Sequence, residues 1–298
     1  MANNKKSPMQ KFTLRDFQTI FPDDDTCLNY IRHKRYPERI ECPSCKNKAL
    51  FHKIKERKSY ACDYCGYQIA PMAGTIFEKS STSLTLWFYV IYTMAQTRGG
   101  VSAKQIERET GVTYKTAWRM CKEIRNALSE DYPPFDGDVE MDESYFGGRR
   151  PGKRGRGASG KTAVFGMAQR GGGVETHTVP NVQRNTLMPI IEANVAKGAN
   201  VHTDEMPSYG ILSSKGFNHA TVPHAQKIYV LGNVHTNTIE GYWSNVKNGI
   251  RGVYHSVSPK YLQHYLNEYA YRYNHRNDVT PMFWSFLHRT IGAAFSWD

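Results

Sequence analysis

Between residues 83 and 97 apolar side chains crowd the chain (Leu84, Leu86, Trp87, Phe88, Val90, Ile91, Met94), a texture that predicts a buried helix ended by Arg98-Gly99-Gly100. Ser102, with Gln105 three residues on, has the capping-box spacing of a second helix start. That helix runs to about Thr110, Gly111 turns the chain, and Thr113 caps a third helix on which Ala117, Cys121, Ile124 and Leu128 recur at helical spacing. Two helices joined by a glycine turn make a helix-turn-helix pattern. Tyr114, Lys115, Arg119 and Lys122 fall near the start of its second helix, where a recognition helix meets DNA. An ordinary helical hairpin with a solvated basic face has the same local pattern. Tyr132-Pro133-Pro134 then breaks the helical region.

Beyond that break the period changes. Residues 139–146, 162–168 and 173–180 read as strands, 186–196 as a helix, and 199–203 as a short strand ending at Asp204. Residues 236–250 and the Tyr-rich 259–276 read as helices, so this half of the chain is α/β. Composition narrows the class. Of 298 residues 40% are hydrophobic and 22% charged, which excludes a wholly disordered or fibrous chain. A net charge of +12 points to a polyanionic partner, nucleic acid first and a membrane surface second. The longest apolar run, 84–95, is too short to cross a bilayer, and the first eleven residues lack the apolar core of a secretory signal. The expectation is a soluble, cytoplasmic, basic protein.

Four of the six cysteines fall as Cys42-Pro-Ser-Cys45 and Cys62-Asp-Tyr-Cys65, sixteen residues apart. Each C-x-x-C turn aims two thiolates at one point, and the gap admits a β-hairpin that brings the turns together, as a tetrahedral Zn(II) site requires. A disulfide framework fits poorly with a long basic chain lacking a signal peptide. Four thiolates leave no open position, so one structural zinc is expected. Cys27 and Cys121 read as small buried apolar residues.

The segment from Gly155 to Thr162 matches the G-x-x-x-x-G-K-[ST] phosphate-loop pattern, but no strand precedes it and a strand rather than a helix follows. Six basic residues and no acids between Gly147 and Lys161 instead describe a cationic loop. Arg149, Arg150, Lys153, Arg154 and Arg156 are its candidate contacts to a nucleic-acid backbone. The chemistry falls to carboxylates. Asp142 lies mid-strand, Asp204 at a strand end, and Glu240 in the first turn of a helix. Alone each reads as a surface acid, or for Glu240 as a complement to the helix dipole. Together, with 61 and then 35 residues between them, they resemble the Asp-Asp-Glu layout of polynucleotidyl transferases. Such hard oxygen ligands hold Mg²⁺ or Mn²⁺, and two ions can serve an in-line phosphoryl displacement.

The chain resembles the DDE transposases of bacterial insertion sequences, in the group with an N-terminal zinc ribbon related to eukaryotic Merlin elements. The resemblance is carried by the four ribbon cysteines, Val101-Ser-Ala-Lys-Gln through Arg119, Met141-Asp-Glu-Ser-Tyr-Phe-Gly-Gly148, Val201-His-Thr-Asp204, His235-Thr-Asn-Thr-Ile-Glu-Gly-Tyr-Trp-Ser-Asn-Val-Lys247 and Tyr254-His255-Ser256. It implies a multidomain chain: an N-terminal helical segment over 1–39, a zinc ribbon over 40–72, a helix-turn-helix region over 80–131, and an α/β RNase H-like catalytic domain over 136–298. It implies that Asp142, Asp204 and Glu240 hold two Mg²⁺ (or Mn²⁺) ions. Lys247, two helical turns or roughly 10.5 Å beyond Glu240, would reach a flanking phosphate. In parts of this group an Asn is the third catalytic residue, and Asn237 stands close by. The implied activity is binding of the element's terminal inverted repeats, metal-dependent strand cleavage and strand transfer, by a dimer or larger assembly on DNA associated with the nucleoid. A silent DNA-binding regulator and a purely hydrolytic RNase H-like nuclease are the competing readings.

Overall fold

A computed structural model describes residues 10–147, 160–222 and 234–292. The chain forms two compact units, one from residues up to 128 together with those from 277 on, the other from residues 129–276. No helix among the described residues is long and apolar enough to cross a membrane.

In the first unit, α1 (Leu14–Ile20) starts at a reciprocal capping box between Thr13 and Asp16. Helix α2 (Asp24–Arg35) starts where the Asp23 carboxylate accepts the Thr26 N–H, and its last turn carries Arg32, His33, Lys34 and Arg35 against the negative end of the dipole. The ribbon follows as an antiparallel meander of β1 (Arg39–Glu41), β2 (Lys48–Lys53), β3 (Tyr60–Cys62) and β4 (Gln68–Ile69). Helix α3 (Leu84–Gln96) is the apolar segment read from the sequence, and Trp87, Phe88, Leu84 and Ile91 on it are fully buried. Helices α4 (Ala103–Thr110) and α5 (Tyr114–Ala127) are joined at Gly111, whose φ of 73° is the left-handed conformation glycine accepts without strain. Ser102 and Thr113 cap them, but only half of the expected capping box forms, because the Gln105 amide donates to Glu109 instead.

The second unit is built on a five-stranded sheet. Strands β5 (Asp138–Phe146), β6 (Thr162–Gln169) and β7 (Val174–Val179) form an antiparallel meander. The chain crosses over through α6 (Arg184–Asn194) to β8 (Asn200–Thr203), parallel to β5, and then to β9 (Asn218–Thr221), parallel to β8. The order is β7-β6-β5-β8-β9. Helices α7 (Asn237–Gly249) and α8 (Leu262–Asn274) complete it. Alternation along the strands divides the core in two. Val139, Met141, Phe165 and Met167 pack with Leu187 and Ile191 of α6 on one face, while Val164, Ala168 and Phe146 pack with Ile239, Trp243, Val246 and Leu266 of α7 and α8 on the other.

The last helix, α9 (Met282–Ile291), returns to the first unit. The resemblance implies a catalytic domain running to residue 298, whereas residues from 277 on group with the first unit. Phe283, Phe286, Leu287 and Ile291 make one apolar stripe at helical spacing, and α9 lays it against α3, with Phe283 stacked on Phe12 at 4.6 Å. In sequence, residues 129–276 therefore interrupt the first unit.

Candidate active site and metal centre

The ribbon brings its four cysteines together by two turns that repeat each other. Lys46 and Gly66 donate their N–H groups to the Cys42 and Cys62 carbonyls at 2.8 and 3.0 Å. Both residues take left-handed φ, 61° and 73°, and the cysteine N–H groups close the turns on Asn47 and Tyr67. All four Sγ atoms lie within 4.8 Å of one another, with Cys42–Cys65 at 3.6 Å and Cys45–Cys62 at 3.9 Å. A tetrahedron with Zn–S bonds of about 2.3 Å has S···S edges of roughly 3.8 Å, so the donor set fits zinc.

The carboxylates are assembled by tertiary structure. Strand β8 pairs with β5 in parallel register, Val139 opposite Val201 and Glu140 opposite His202. The pairing ends there; Asp204 follows the last residue of β8, and Asp142 lies two residues beyond Glu140 on β5. Asp142 shares its face of β5 with Glu140 and Phe146, the face that α7 covers. Helix α7 is drawn onto that face at two points. The cross-strand partner of Asp142 is Gly166, and the Trp243 indole sits directly over it, so that a Cβ at 166 would come within 2.5 Å of the ring. The second point is Glu140, which is fully buried. Its Oε2 accepts the Thr238 and Ile239 N–H groups at 2.7 and 3.1 Å, and its Oε1 accepts the Thr238 hydroxyl at 2.9 Å and Arg170 Nε at 2.7 Å. Thr236, the residue preceding the helix, makes no side-chain cap, so a carboxylate from the sheet satisfies the first N–H groups of α7.

Glu240 projects from the first turn so held, exposed, with its Oε1 accepting the Thr236 hydroxyl at 2.7 Å. Asp204 Oδ1 accepts the Met206 N–H at 2.9 Å. Burial pushes the Asp142 carboxyl up to about 6; the Glu143 N–H works against this, the Asp204 and Glu240 charges add to it, and Lys247 opposes it. Burial holds Lys247 below its ordinary value, with the Asp142 charge opposing and the Arg251 and Lys161 charges adding. The three carboxylates do not gather as tightly as the thiols: among the described residues, only the cysteine set has three or more ligand atoms within 4.8 Å of one another. They remain a set of hard oxygen donors whose mutual repulsion a divalent cation would relieve, so the residues fit Mg²⁺ or Mn²⁺.

Residues 134–274 match the ISXO2-like transposase domain and residues 22–68 the transposase zinc-ribbon domain. A transposase-like protein of Haemophilus influenzae is 31% identical over 101 residues, 34% of this chain and 80% of the relative. The chain belongs to the ISXO2-like transposase family. A protein in transposable element ISH50 of Halobacterium salinarum is 29% identical over 272 residues, 85% of this chain and 91% of the relative. A chain in the cryo-EM structure of the simian T-cell lymphotropic virus intasome in complex with PP2A regulatory subunit B56 gamma aligns at 11% identity over 63% of this chain and 65% of its own. Its TM-score of 0.29 is too low to assign a fold.

The transposase's other candidate residues are scattered. On α5, Tyr114 and Lys115 are exposed, with Lys104 Nζ 4.8 Å from the Tyr114 ring centroid. Arg119 is also exposed, though it donates to Ser80 Oγ at 3.2 Å and lies over Trp87, and Lys122 pairs with Glu123. Arg149, Arg150, Lys153, Arg154 and Arg156 lie outside the described residues. Asn237 is the first residue of α7 and exposed; Thr236, not Asn237, occupies the cap position. The sequence reading missed Glu140 and Arg170, although Glu140 stands two residues before Asp142, on the same strand face. It also missed the buried Tyr209, whose hydroxyl donates to Glu143 beside Asp142.

Proposed function

We propose that this transposase binds the terminal inverted repeats of its element and catalyses metal-dependent DNA cleavage followed by strand transfer. The observation that carries the reading is the company Asp142 keeps: β8, which leads into Asp204, pairs with β5 just before Asp142, and the charges of Asp204 and Glu240 both act on the largely buried Asp142 carboxyl. A three-strand antiparallel meander followed by two parallel strands supports an RNase H-like fold for the second unit. The α4–Gly111–α5 pair, capped at both starts and exposing Tyr114 and Lys115, supports a helix-turn-helix contact to the repeats.

In this reading Asp142, Asp204 and Glu240 would hold Mg²⁺ or Mn²⁺, which when bound would supply activation of the nucleophile and stabilisation of the leaving oxygen. The protein does the positioning. Glu140 and the Trp243–Gly166 contact fix the start of α7, and so fix where Glu240 stands over Asp142. Lys247 presents its ammonium to a non-bridging phosphate oxygen. Strand transfer exchanges one phosphodiester for another when the freed 3′-hydroxyl attacks target DNA, so neither a covalent protein–DNA link nor ATP is required. Joining two ends calls for a dimer or larger assembly.

The test is incubation of the full-length protein with Mg²⁺, DNA bearing the element's ends, and a target plasmid. Joined products are expected. Glu240→Gln should lower cleavage by several orders of magnitude while leaving end binding intact. Cutting without joining indicates a hydrolytic nuclease, and binding without cutting a silent regulator. If Asn237→Ala is inactive while Glu240→Gln still cuts, Asn237 is the third ligand.

A further inference from the structure

Helix α7 does not stop at Gly249 but passes into one π-helical turn, Ile250–Tyr254. The chain then reverses at His255, with φ 60° and ψ −50°, and the Ser256 N–H donates to the Tyr254 carbonyl at 2.6 Å. Residues 254–256 therefore close a γ-turn of the positive-φ form, which is rare and strained for a residue with a Cβ. Isolated π-turns and strain of this kind concentrate where a ligand is held. Here both border one small cleft, lined by Phe146, Lys247, Arg251, His255, Ser256 and Leu262 among others. Phe146 and Leu262 are buried, while Arg251 and His255 are exposed at the rim. No carboxylate lines the cleft among the described residues. Lys247 belongs to it and is also the cation felt at Asp142, so the cleft adjoins the carboxylates. Three nitrogen cations or donors around a small opening, with no acid to neutralise them, suit an anion carrying several acceptor oxygens.

We infer that this cleft binds one backbone phosphate of the DNA strand next to the reacting one, with Arg251 and His255 as its own ligands and Lys247 shared with the carboxylate site. The strained turn holds the imidazole at the rim before DNA arrives, which spares that ordering on binding. The inference rests on the function proposed above, and it assigns a use to the Tyr254-His255-Ser256 motif that the three carboxylates leave unexplained.

Salt titrations of DNA binding by the full-length protein, without added metal, provide the test. Arg251→Gln should weaken binding several-fold on any sequence and reduce the log–log salt slope by about 0.9, the value of one phosphate contact. Methylphosphonates replacing single phosphates near the element's end should reveal one position where the neutral group weakens wild-type binding and makes Arg251→Gln silent; elsewhere the two effects add. His255→Gly relieves the positive φ but deletes the imidazole, so its melting temperature should rise while its DNA affinity falls. The inference is overturned if Arg251→Gln leaves slope and affinity unchanged, or if His255→Gly melts higher and binds like wild type. Glu240→Gln that still cuts would instead overturn the assignment of the carboxylates, and would leave the phosphate measurements standing.

Discussion

In the ribbon, four sulfurs lie within 4.8 Å of one another, held by two turns that match hydrogen bond for hydrogen bond. In the second unit, the carboxylates of Asp142, Asp204 and Glu240 come from a strand, a strand end and a helix, and they stay outside that limit. The difference is one of range. Both cysteine turns are local structures, and the pairing of β2 with β3 brings one to the other. The carboxylate set needs a parallel strand pair, an α/β crossover and a helix drawn down onto the sheet by Glu140 and Trp243. A closed tetrahedral thiolate site is a fastener, and its ligands sit where the metal needs them. Under the proposed function the second site must also admit DNA, which would favour ligands held apart on rigid elements and drawn together by a cation.

The largest expected effect falls on the fastener. Cys62→Ser should lose zinc, and with it most of the stabilisation, on the order of 10 kcal/mol, that a structural Zn(II) site brings to so small a core. Metal analysis and hydrogen exchange over residues 39–69 measure this, with protection in residues 129–276 unchanged. A ribbon still protected without zinc would break the comparison from that side. Next comes Glu140→Gln. Its amide nitrogen would face either the Thr238 and Ile239 N–H groups or the Arg170 guanidinium, and in both cases Arg170 loses the buried charge that it pairs with, a change that costs about 3–5 kcal/mol. The loss should appear as early exchange of the first turn of α7 and a fall in cleavage larger than the fall in end binding. Wild-type exchange in that turn would mean that the packing of Trp243 alone places the helix.

Much of this was legible before the structure, and range again explains what was not. The C-x-x-C pair, the glycine turn at Gly111, the caps at Ser102 and Thr113 and the long apolar elements are all local signals. Strand β9 gave no such signal: Asn218-His-Ala-Thr is polar and lies largely open to solvent, held by backbone pairing to β8. Helix α9 has a readable stripe, but no spacing says that Phe283 will stack on Phe12, some 270 residues earlier. Glu140 stands in plain view in Val-Glu-Met-Asp142, yet a buried acid whose partners are N–H groups 98 and 99 residues away shows itself only in three dimensions.

Asp142 sharpens the comparison through pH. Its folded value of about 6 lies above the ordinary 3.8, so in the metal-free protein it contributes stability that is fully present below pH 3.8 and is lost as pH rises through 6. About two pH units at roughly 1.4 kcal/mol each give a loss of about 3 kcal/mol by neutral pH. Asp142→Asn should therefore melt higher than wild type at pH 7 in the presence of a chelator, and alike at pH 3, while its cleavage is abolished. Coincident melting curves at pH 7 would show that burial and the neighbouring carboxylates do not raise the Asp142 carboxyl.

The smallest effect probes how tightly the helix must lie on the sheet. A Cβ at Gly166 would meet Trp243 Cζ2 and Cη2 at 2.5 and 2.9 Å and Ile239 Cδ1 at 3.1 Å. These atoms belong to buried side chains that carry α7, so the helix itself has to give way. Overpacking of this kind costs about 1–3 kcal/mol. Because Gly166 pairs with Asp142 and α7 carries Glu240, the displacement falls beside the proposed carboxylate site, and Gly166→Ala should lower cleavage well beyond what its stability loss explains. Gly241→Ala is the matched control: it adds the same methyl on α7 itself, where a Cβ meets nothing within 4 Å, and replaces a poor helix former by the best one, a gain of up to about 1 kcal/mol. Thermal melts and cleavage rates of the two variants, compared at equal folded fraction, separate helix placement from helix stability. If Gly166→Ala cuts as well as Gly241→Ala, the carboxylates tolerate a shifted helix, and the site is looser than the packing of Trp243 on Gly166 implies.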